Sequence, residues 1–213
     1  MKKWDLGGKW RMTGNGYDVT GNIPGSLYSF LHVDNAILPD PQVADNEDIY
    51  LAISEHDYTF SRTFDWHDEG YRTTLVFEGL DTLCGIYLNG THVADTDNMH
   101  LRYEFDITEL VREHNELCVV CHSPTKYIRE QDEKAKLFGA TDCMRGYPHL
   151  RKAHCMMGWD WGPRLPDGGI WRDVWLEVWN ESRIEEVRIR QLHFIKSDSS
   201  DEPCIPASGN PDH

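Results

Sequence analysis

The chain has 213 residues, which is enough for one large domain or two small ones with a substantial hydrophobic core. Its formal net charge of -15 argues against a nucleic-acid partner, because such binding depends on Lys and Arg that neutralise phosphates, and against an anionic membrane surface. Aromatic residues form 11% of the sequence, a share that excludes a disordered acidic tail and is compatible with a folded protein that takes a neutral ligand.

The first eight residues contain no apolar run that could act as a signal peptide. No stretch of about 18 apolar residues that could span a membrane occurs anywhere in the chain. The sequence therefore predicts a cytoplasmic chain without membrane association, in which the six cysteines are buried thiols.

The first part of the chain shows few regular patterns. Residues 8–12 predict a first strand, and residues 27–31 predict a short helix after a loop-rich stretch. Residues 37–47 are predicted to be irregular and mostly exposed, and a long loop of this kind is often functional.

From residue 58 onward the hydrophobic period changes to two, which is typical of half-buried strands. In the first of these strands one face carries Tyr58, Phe60, Phe64 and Trp66. A second strand is predicted at residues 73–78, with Leu75 and Phe77 on one side.

The clearest local signal is a β-hairpin around Asn89-Gly90, the preferred pair for a two-residue type I′ turn. The strands on either side are residues 84–88 and 91–93. The register of this turn predicts Ile86 opposite Val93 and Tyr87 opposite His92.

The rest of the chain continues the β pattern. Strands are predicted at residues 102–107, 117–121 and 170–179, with one or two helical turns within residues 126–137. Residues 186–190 also resemble a strand, but the polar, proline-rich sequence after them does not support it. Many short strands with little helix predict an all-β fold, an antiparallel β-sandwich, and an eight-stranded jelly roll is the natural candidate.

The stretch Gly158-Trp159-Asp160-Trp161-Gly162-Pro163-Arg164 fits neither a helix nor a strand, because the glycines and the proline interrupt both. Two indole rings flank one carboxylate. A flat apolar ring can stack against the face of a sugar, and the carboxylate beside it can accept hydrogen bonds from hydroxyls. The alternative is that both tryptophans belong to the core and that Asp160 caps a turn.

Together with other segments in the same order, this motif resembles the N-terminal domain of the β-mannosidases of glycoside hydrolase family 2. The resemblance covers roughly residues 1–194. The segments that carry it are Ile23-Pro24-Gly25, Asp45-Asn46-Glu47, Tyr58-Thr59-Phe60-Ser61-Arg62-Thr63-Phe64, Phe77-Glu78-Gly79-Leu80-Asp81-Thr82, Leu88-Asn89-Gly90, Asp97-Asn98-Met99, Tyr103-Glu104-Phe105-Asp106-Ile107-Thr108, Arg151-Lys152-Ala153, Gly158-Trp159-Asp160-Trp161-Gly162-Pro163 and Gly169-Ile170-Trp171-Arg172.

The resemblance implies a galactose-binding-domain-like jelly roll over residues 1–194. Residues 195–213 are then an irregular tail at which a following domain would start. It also implies retaining hydrolysis of terminal β-mannose by two glutamates of a barrel domain, which has no counterpart here, so this chain alone is predicted to be inactive. The residues implied to contact the sugar are Trp159 and Asp160. The implied partners are a β-mannoside or manno-oligosaccharide, bound weakly in isolation, and the missing barrel domains. The family usually carries Phe where this chain has Met157.

Two other functions fit the same residues: a stand-alone carbohydrate-binding module, and a non-catalytic interaction domain with a Trp-rich surface. No cofactor is predicted. Cys118 and Cys121 have a spacing that suggests a metal site, but residues three apart in a strand point to opposite faces, so a metal is not predicted. Arg151 and Lys152 are more consistent with ion pairs inside the protein than with contacts to a sugar.

Overall fold

The computed structural model describes residues 2–32, 37–67, 71–160, 162–179, 184 and 187–191. The chain divides into two compact units, Met1–Asn180 and Glu181–His213. In the second unit, the described residues are exposed and belong to neither a helix nor a strand, so residues 187–190 do not form the additional strand. The predicted tail at residues 195–213 lies outside the described residues.

The first unit is built mainly from β-strands, of which ten lie in the described part of the chain. They are β1 (Lys2–Asp5), β2 (Gly8–Gly14), β3 (Tyr17–Ile23), β4 (Tyr58–Asp65), β5 (Arg72–Phe77), β6 (Cys84–Leu88), β7 (Thr91–Thr96), β8 (Tyr103–Asp106), β9 (His114–Cys121) and β10 (Val174–Trp179). The helices are α1 (Leu27–His32), α2 (Glu47–Ser54) and α3 (Pro124–Lys134), with short 3-10 turns at Tyr147–His149 and His154–Met157.

The strands form two antiparallel sheets. The four-stranded sheet has the order β1-β10-β5-β8, and the six-stranded sheet has the order β3-β2-β4-β9-β6-β7. A large cluster of buried apolar side chains contains residues from both sheets. The predicted β-sandwich is confirmed, although it has more strands than the eight of a minimal jelly roll.

The alternation along β4 shows why these residues form a strand. Tyr58, Phe60 and Phe64 are buried, while the side chains between them are at least partly exposed. A two-residue period predicts this arrangement, because alternate side chains of a strand lie on the same face. In β9 the same alternation buries Leu117, Val119 and Cys121.

The hairpin between β6 and β7 forms as predicted, with positive φ angles of 53° at Asn89 and 77° at Gly90. Tyr87 lies opposite His92, but the prediction that Ile86 lies opposite Val93 is wrong. Ile86 pairs with Ala94, because a β-bulge between the two pairs adds one residue to β7.

The helices agree with the sequence only in part. Helix α1 lies where it was predicted, whereas α2 begins in the segment predicted to be irregular. Helix α3 is longer than the predicted one or two turns and starts earlier, because Ser123 caps it by accepting a hydrogen bond from the Lys126 amide at 3.0 Å. Among the described residues, no helix is long and apolar enough to cross a membrane.

Candidate functional site

The two predicted site residues lie next to each other at the surface. The Trp159 side chain is 40% exposed, and Asp160 is exposed as well. They occupy a turn in which the Gly162 amide donates to the Trp159 carbonyl at 3.2 Å. This exposure argues against a core role for Trp159. Trp161 lies outside the described residues.

The turn rests on a small apolar cluster of its own. Met157 is fully buried there and packs with Ile128 of α3 and with Leu150. The Met157 carbonyl accepts a hydrogen bond from the Met144 amide at 2.8 Å. Methionine therefore fills the position at which the family usually carries phenylalanine, and it anchors the backbone directly below the turn.

Gly158 sets the direction in which the chain leaves this anchor. Its φ angle is +91°, a value that favours glycine, and a β-carbon there would lie 2.5 Å from Cγ of Arg164. The Gly158 carbonyl also accepts a hydrogen bond from the Cys143 thiol at 2.9 Å. Glycine at this position thus allows the tight approach between the two ends of the turn.

The far side of the turn is attached to the rest of the domain at two points. The Leu165 amide donates to the Met156 carbonyl at 2.9 Å, which closes the base of the loop. Arg164 forms an ion pair with Glu47 in the first turn of α2. The prediction that Glu47 lies in an irregular, exposed segment did not anticipate this contact.

A buried ion pair holds the segments on both sides of the turn. Lys152 is fully buried and contacts the carboxylate of Asp81, which is 3% exposed. Its ammonium group also donates to the Asp167 carbonyl at 2.8 Å. The prediction that this basic pair serves ion pairing inside the protein is confirmed for Lys152.

Asp167 connects this network to α1. Its carboxylate accepts hydrogen bonds from the amides of Gly168 at 2.8 Å and of Tyr28 at 3.1 Å. Burial raises the pKa of Asp167 to about 6, although these hydrogen bonds and the charge of Lys152 act in the opposite direction. No local sequence signal marks this carboxylate, since its partner Tyr28 is distant in the sequence.

Chemically, the site can offer an aromatic face and an acceptor for hydroxyl protons. Cys121 is buried in the core and Cys118 lies on the opposite face of β9, so these two sulfur atoms do not converge on one metal ion. Within the described ranges, no group of three or more His, Cys, Asp or Glu could hold a metal ion.

Residues 9–172 match the family described as glycosyl hydrolase 2 galactose-binding domain-like. A β-mannosidase of Mus musculus is 33% identical over 195 residues, which cover 85% of this chain and 22% of that protein. A β-mannosidase of Capra hircus is 35% identical over 188 residues, which cover 82% of this chain and 21% of that protein. The chain thus spans about a fifth of the length of these curated relatives.

Solved structures give the same result for the fold. The crystal structure of a β-D-mannosidase from Dictyoglomus thermophilum matches with a TM-score of 0.81 and 35% identity, over 87% of this chain and 23% of that one. An exo-chitosanase of Amycolatopsis orientalis has a TM-score of 0.60 and 19% identity over 84% of this chain and 21% of that one, which shows a shared fold alone. The chain therefore belongs to the galactose-binding-like N-terminal domains of glycoside hydrolase family 2, and its similar relatives include β-mannosidases.

Proposed function

We propose that this chain is the N-terminal domain of a β-mannosidase, and that Trp159 and Asp160 form one wall of the pocket for a terminal β-mannose. The observation that carries the proposal is an exposed indole directly beside an exposed carboxylate. Both lie on a turn whose base is fixed by backbone hydrogen bonds, the Arg164–Glu47 pair and the buried Met157.

Each side chain has a separate task in this wall. The Trp159 ring packs against the C–H groups of one sugar face, and aromatic rings contribute large apolar contact areas with few rotatable bonds. The Asp160 carboxylate accepts hydrogen bonds from sugar hydroxyls, and hydrogen bonds to an ionised acceptor are stronger than those between neutral groups.

The proposed hydrolysis is retaining and requires two carboxyl groups about 5 Å apart, one as nucleophile and one as acid and base. We assign neither role to a residue of this chain and place both in another part of the enzyme. The purified 213-residue chain should then show no turnover of a chromogenic β-mannoside. Turnover by the chain alone would contradict this assignment.

The wall itself is tested by NMR titration of the chain with methyl β-mannoside. We expect weak binding, because one wall covers much less of the sugar than the 70–90% that a complete pocket typically buries. Amide shifts should concentrate at residues 156–165 and disappear in Trp159→Ala and in Asp160→Ala. The matched controls are Trp4→Ala and Asp97→Ala, since both residues are exposed elsewhere in the domain.

The outcomes separate the candidate functions. Shifts that the two site variants abolish and the two controls retain support the wall. Shifts confined to another part of the sandwich, or no shifts at high sugar concentration, contradict it. Tight saturation by mannose or manno-oligosaccharides would instead identify a stand-alone carbohydrate-binding module.

A further inference from the structure

Two free cysteines face each other across neighbouring strands of the larger sheet. Cys84 begins β6, and Cys121 ends β9 directly opposite. Both side chains are buried, with 2% and 6% exposure, and their sulfur atoms are 3.2 Å apart. Neither thiol belongs to the turn at residues 158–164, so the pair needs a separate explanation.

The hydrogen bonds around the pair identify its position in the antiparallel ladder. The amide of His122, one residue after Cys121, donates to the carbonyl of Leu83, one residue before Cys84, at 2.8 Å. This pattern marks Cys84 and Cys121 as a non-hydrogen-bonded pair, in which the two α-carbons are about 4.5 Å apart. Disulfides span α-carbon distances of about 4.4–6.8 Å, so the strands already have a spacing that a disulfide can bridge.

One of the two thiols lies at a route from the surface. Cys84 lines an open pocket of about 490 Å³, together with Leu83, His122 and Lys126. Cys121 does not line this pocket. A small disulfide that enters this pocket therefore lies next to Cys84.

The surroundings keep the second sulfur protonated. Its hydrogen bond with Cys84, burial and the nearby Asp81 carboxylate raise the pKa of Cys121 well above that of an ordinary thiol, and Lys152 only partly opposes this. A protonated thiol is a poor nucleophile, so oxidation of the pair is expected to be slow and to need the short distance between the sulfurs.

We propose that Cys84 and Cys121 form an oxidisable dithiol, which a low-molecular-weight disulfide such as oxidised glutathione converts into a disulfide between β6 and β9. The Cys84 thiolate attacks one sulfur of the reagent, whose disulfide bond breaks and releases one glutathione thiolate, which takes up a proton. Cys121 then loses its proton and attacks the Cys84 sulfur of this mixed disulfide, which releases the second glutathione. The protein loses two electrons and two protons, and the reagent is reduced to two thiols.

This cross-link would join two adjacent strands three residues after Asp81, the partner of the buried Lys152. Oxidation would link β6 and β9 covalently at a residue pair that already lies in register in the sheet. The inference does not depend on sugar binding, and its test measures thiols alone.

The test incubates the 213-residue chain with excess oxidised glutathione, removes the reagent, and counts alkylatable thiols after denaturation. We expect Cys84 and Cys121 to disappear from the alkylated thiols together, so that the count of six falls by at least two, with any glutathione adducts confined to other cysteines such as the exposed Cys155. Peptide mapping should find Cys84 linked to Cys121. Cys84→Ser should keep the Cys121 thiol, whereas Cys121→Ser should stop at a glutathione mixed disulfide on Cys84, because no second thiol is present to displace the glutathione. Cys118→Ser removes a half-buried thiol of the same strand as a matched control and should form the same Cys84–Cys121 disulfide as the wild type.

Three results would overturn the proposal: six thiols that survive prolonged oxidation, a disulfide that joins other cysteines in place of Cys84 and Cys121, or a stable glutathione adduct on Cys84 of the wild type. Because either serine variant could unfold, far-UV circular dichroism accompanies each count. If both are unfolded, the map of the wild-type disulfide decides the question alone.

Discussion

Replacing Lys152 with methionine tests how the turn is anchored. Lys152 is fully buried, and its partner Asp81 is 3% exposed, so water cannot replace the missing ammonium group. Methionine keeps an apolar chain of similar length, and the substitution therefore removes the charge without opening a large cavity. The Asp81 carboxylate would retain the hydroxyl of Thr82 as a donor, and the Asp167 carbonyl would lose its donor.

We expect Lys152→Met to lower the free energy of unfolding by about 3–5 kcal/mol, the usual cost of leaving one member of a buried ion pair without its partner. This loss is a large part of the total free energy of unfolding of a typical domain, which is roughly 5–15 kcal/mol. With a slope of about 2 kcal/mol per molar urea, the unfolding midpoint should fall by about 2 M. Arg11→Ala serves as the control, because the Arg11–Asp18 pair is 60% and 58% exposed and its loss should leave the midpoint nearly unchanged.

A double variant identifies the physical cause. Lys152→Met combined with Asp81→Asn removes both charges and should recover much of the loss, since no unpaired charge stays buried. A wild-type midpoint for the single variant would refute the reasoning. A double variant no more stable than the single one would show that the cost does not come from the orphaned carboxylate.

Three further predictions concern the turn and its surroundings. Gly158→Ala should lower the free energy of unfolding by about 1–3 kcal/mol, because its φ angle is positive and the new β-carbon would lie 2.5 Å from Cγ of Arg164. In Gly162→Ala the new β-carbon meets no atom within 4 Å, so this variant serves as the control. Equal urea midpoints for the two variants would contradict the prediction. Met157→Ala should cost about 2–5 kcal/mol and the half-buried Met156→Ala less, and the reverse order in urea unfolding would show that the buried cluster is not the anchor. Asp167→Asn should change the pH dependence of stability. A folded pKa of about 6, above the unfolded value, favours the protonated folded state, so the contribution of Asp167 to wild-type stability should fall by about 2 kcal/mol as the pH rises from about 4 to about 6. The variant should lack this decline, and parallel curves of unfolding midpoint against pH would count against the role of Asp167.

The sequence predicts well those strands that have one face in the core and the other towards solvent. In β4 and β9 the buried residues lie at alternate positions, so the pattern of apolar residues determines both the strand and its faces. The hairpin was predictable for a different reason, since Asn89 and Gly90 both adopt the positive φ that a type I′ turn requires.

The bulge in β7 could not be predicted from the same pattern. Residues of β7 are mostly exposed or half-buried, so no apolar face fixes their register against β6. Helix α2 was missed for a comparable reason, because Asn46 at its start makes no side-chain capping bond and the sequence before it is irregular.

The site could be predicted at its tip and not at its base. Glycine and proline around Trp159 and Asp160 indicate a tight, non-repetitive turn without any knowledge of the fold, while the exposure of Trp159 is seen only in the structure. The groups that hold the turn come from distant segments, since Lys152 contacts Asp81 and Arg164 contacts Glu47. Such pairs follow no sequence periodicity and no fixed spacing, so they can be identified only from the folded structure.

The contrast between tip and base also bears on how a sugar would bind. Backbone hydrogen bonds at Met156 and Met157 fix the base, and the φ angle of Gly158 then sets the position from which Trp159 projects. A binding surface that is already fixed before the ligand arrives does not lose conformational entropy on binding. This advantage exists only while the turn keeps the geometry that fits the ligand. Gly158→Ala should therefore weaken any mannoside affinity by a larger factor than Gly162→Ala, even under conditions in which both variants are fully folded. Equal loss of affinity in the two variants would mean that the turn adapts to its ligand and is not preformed.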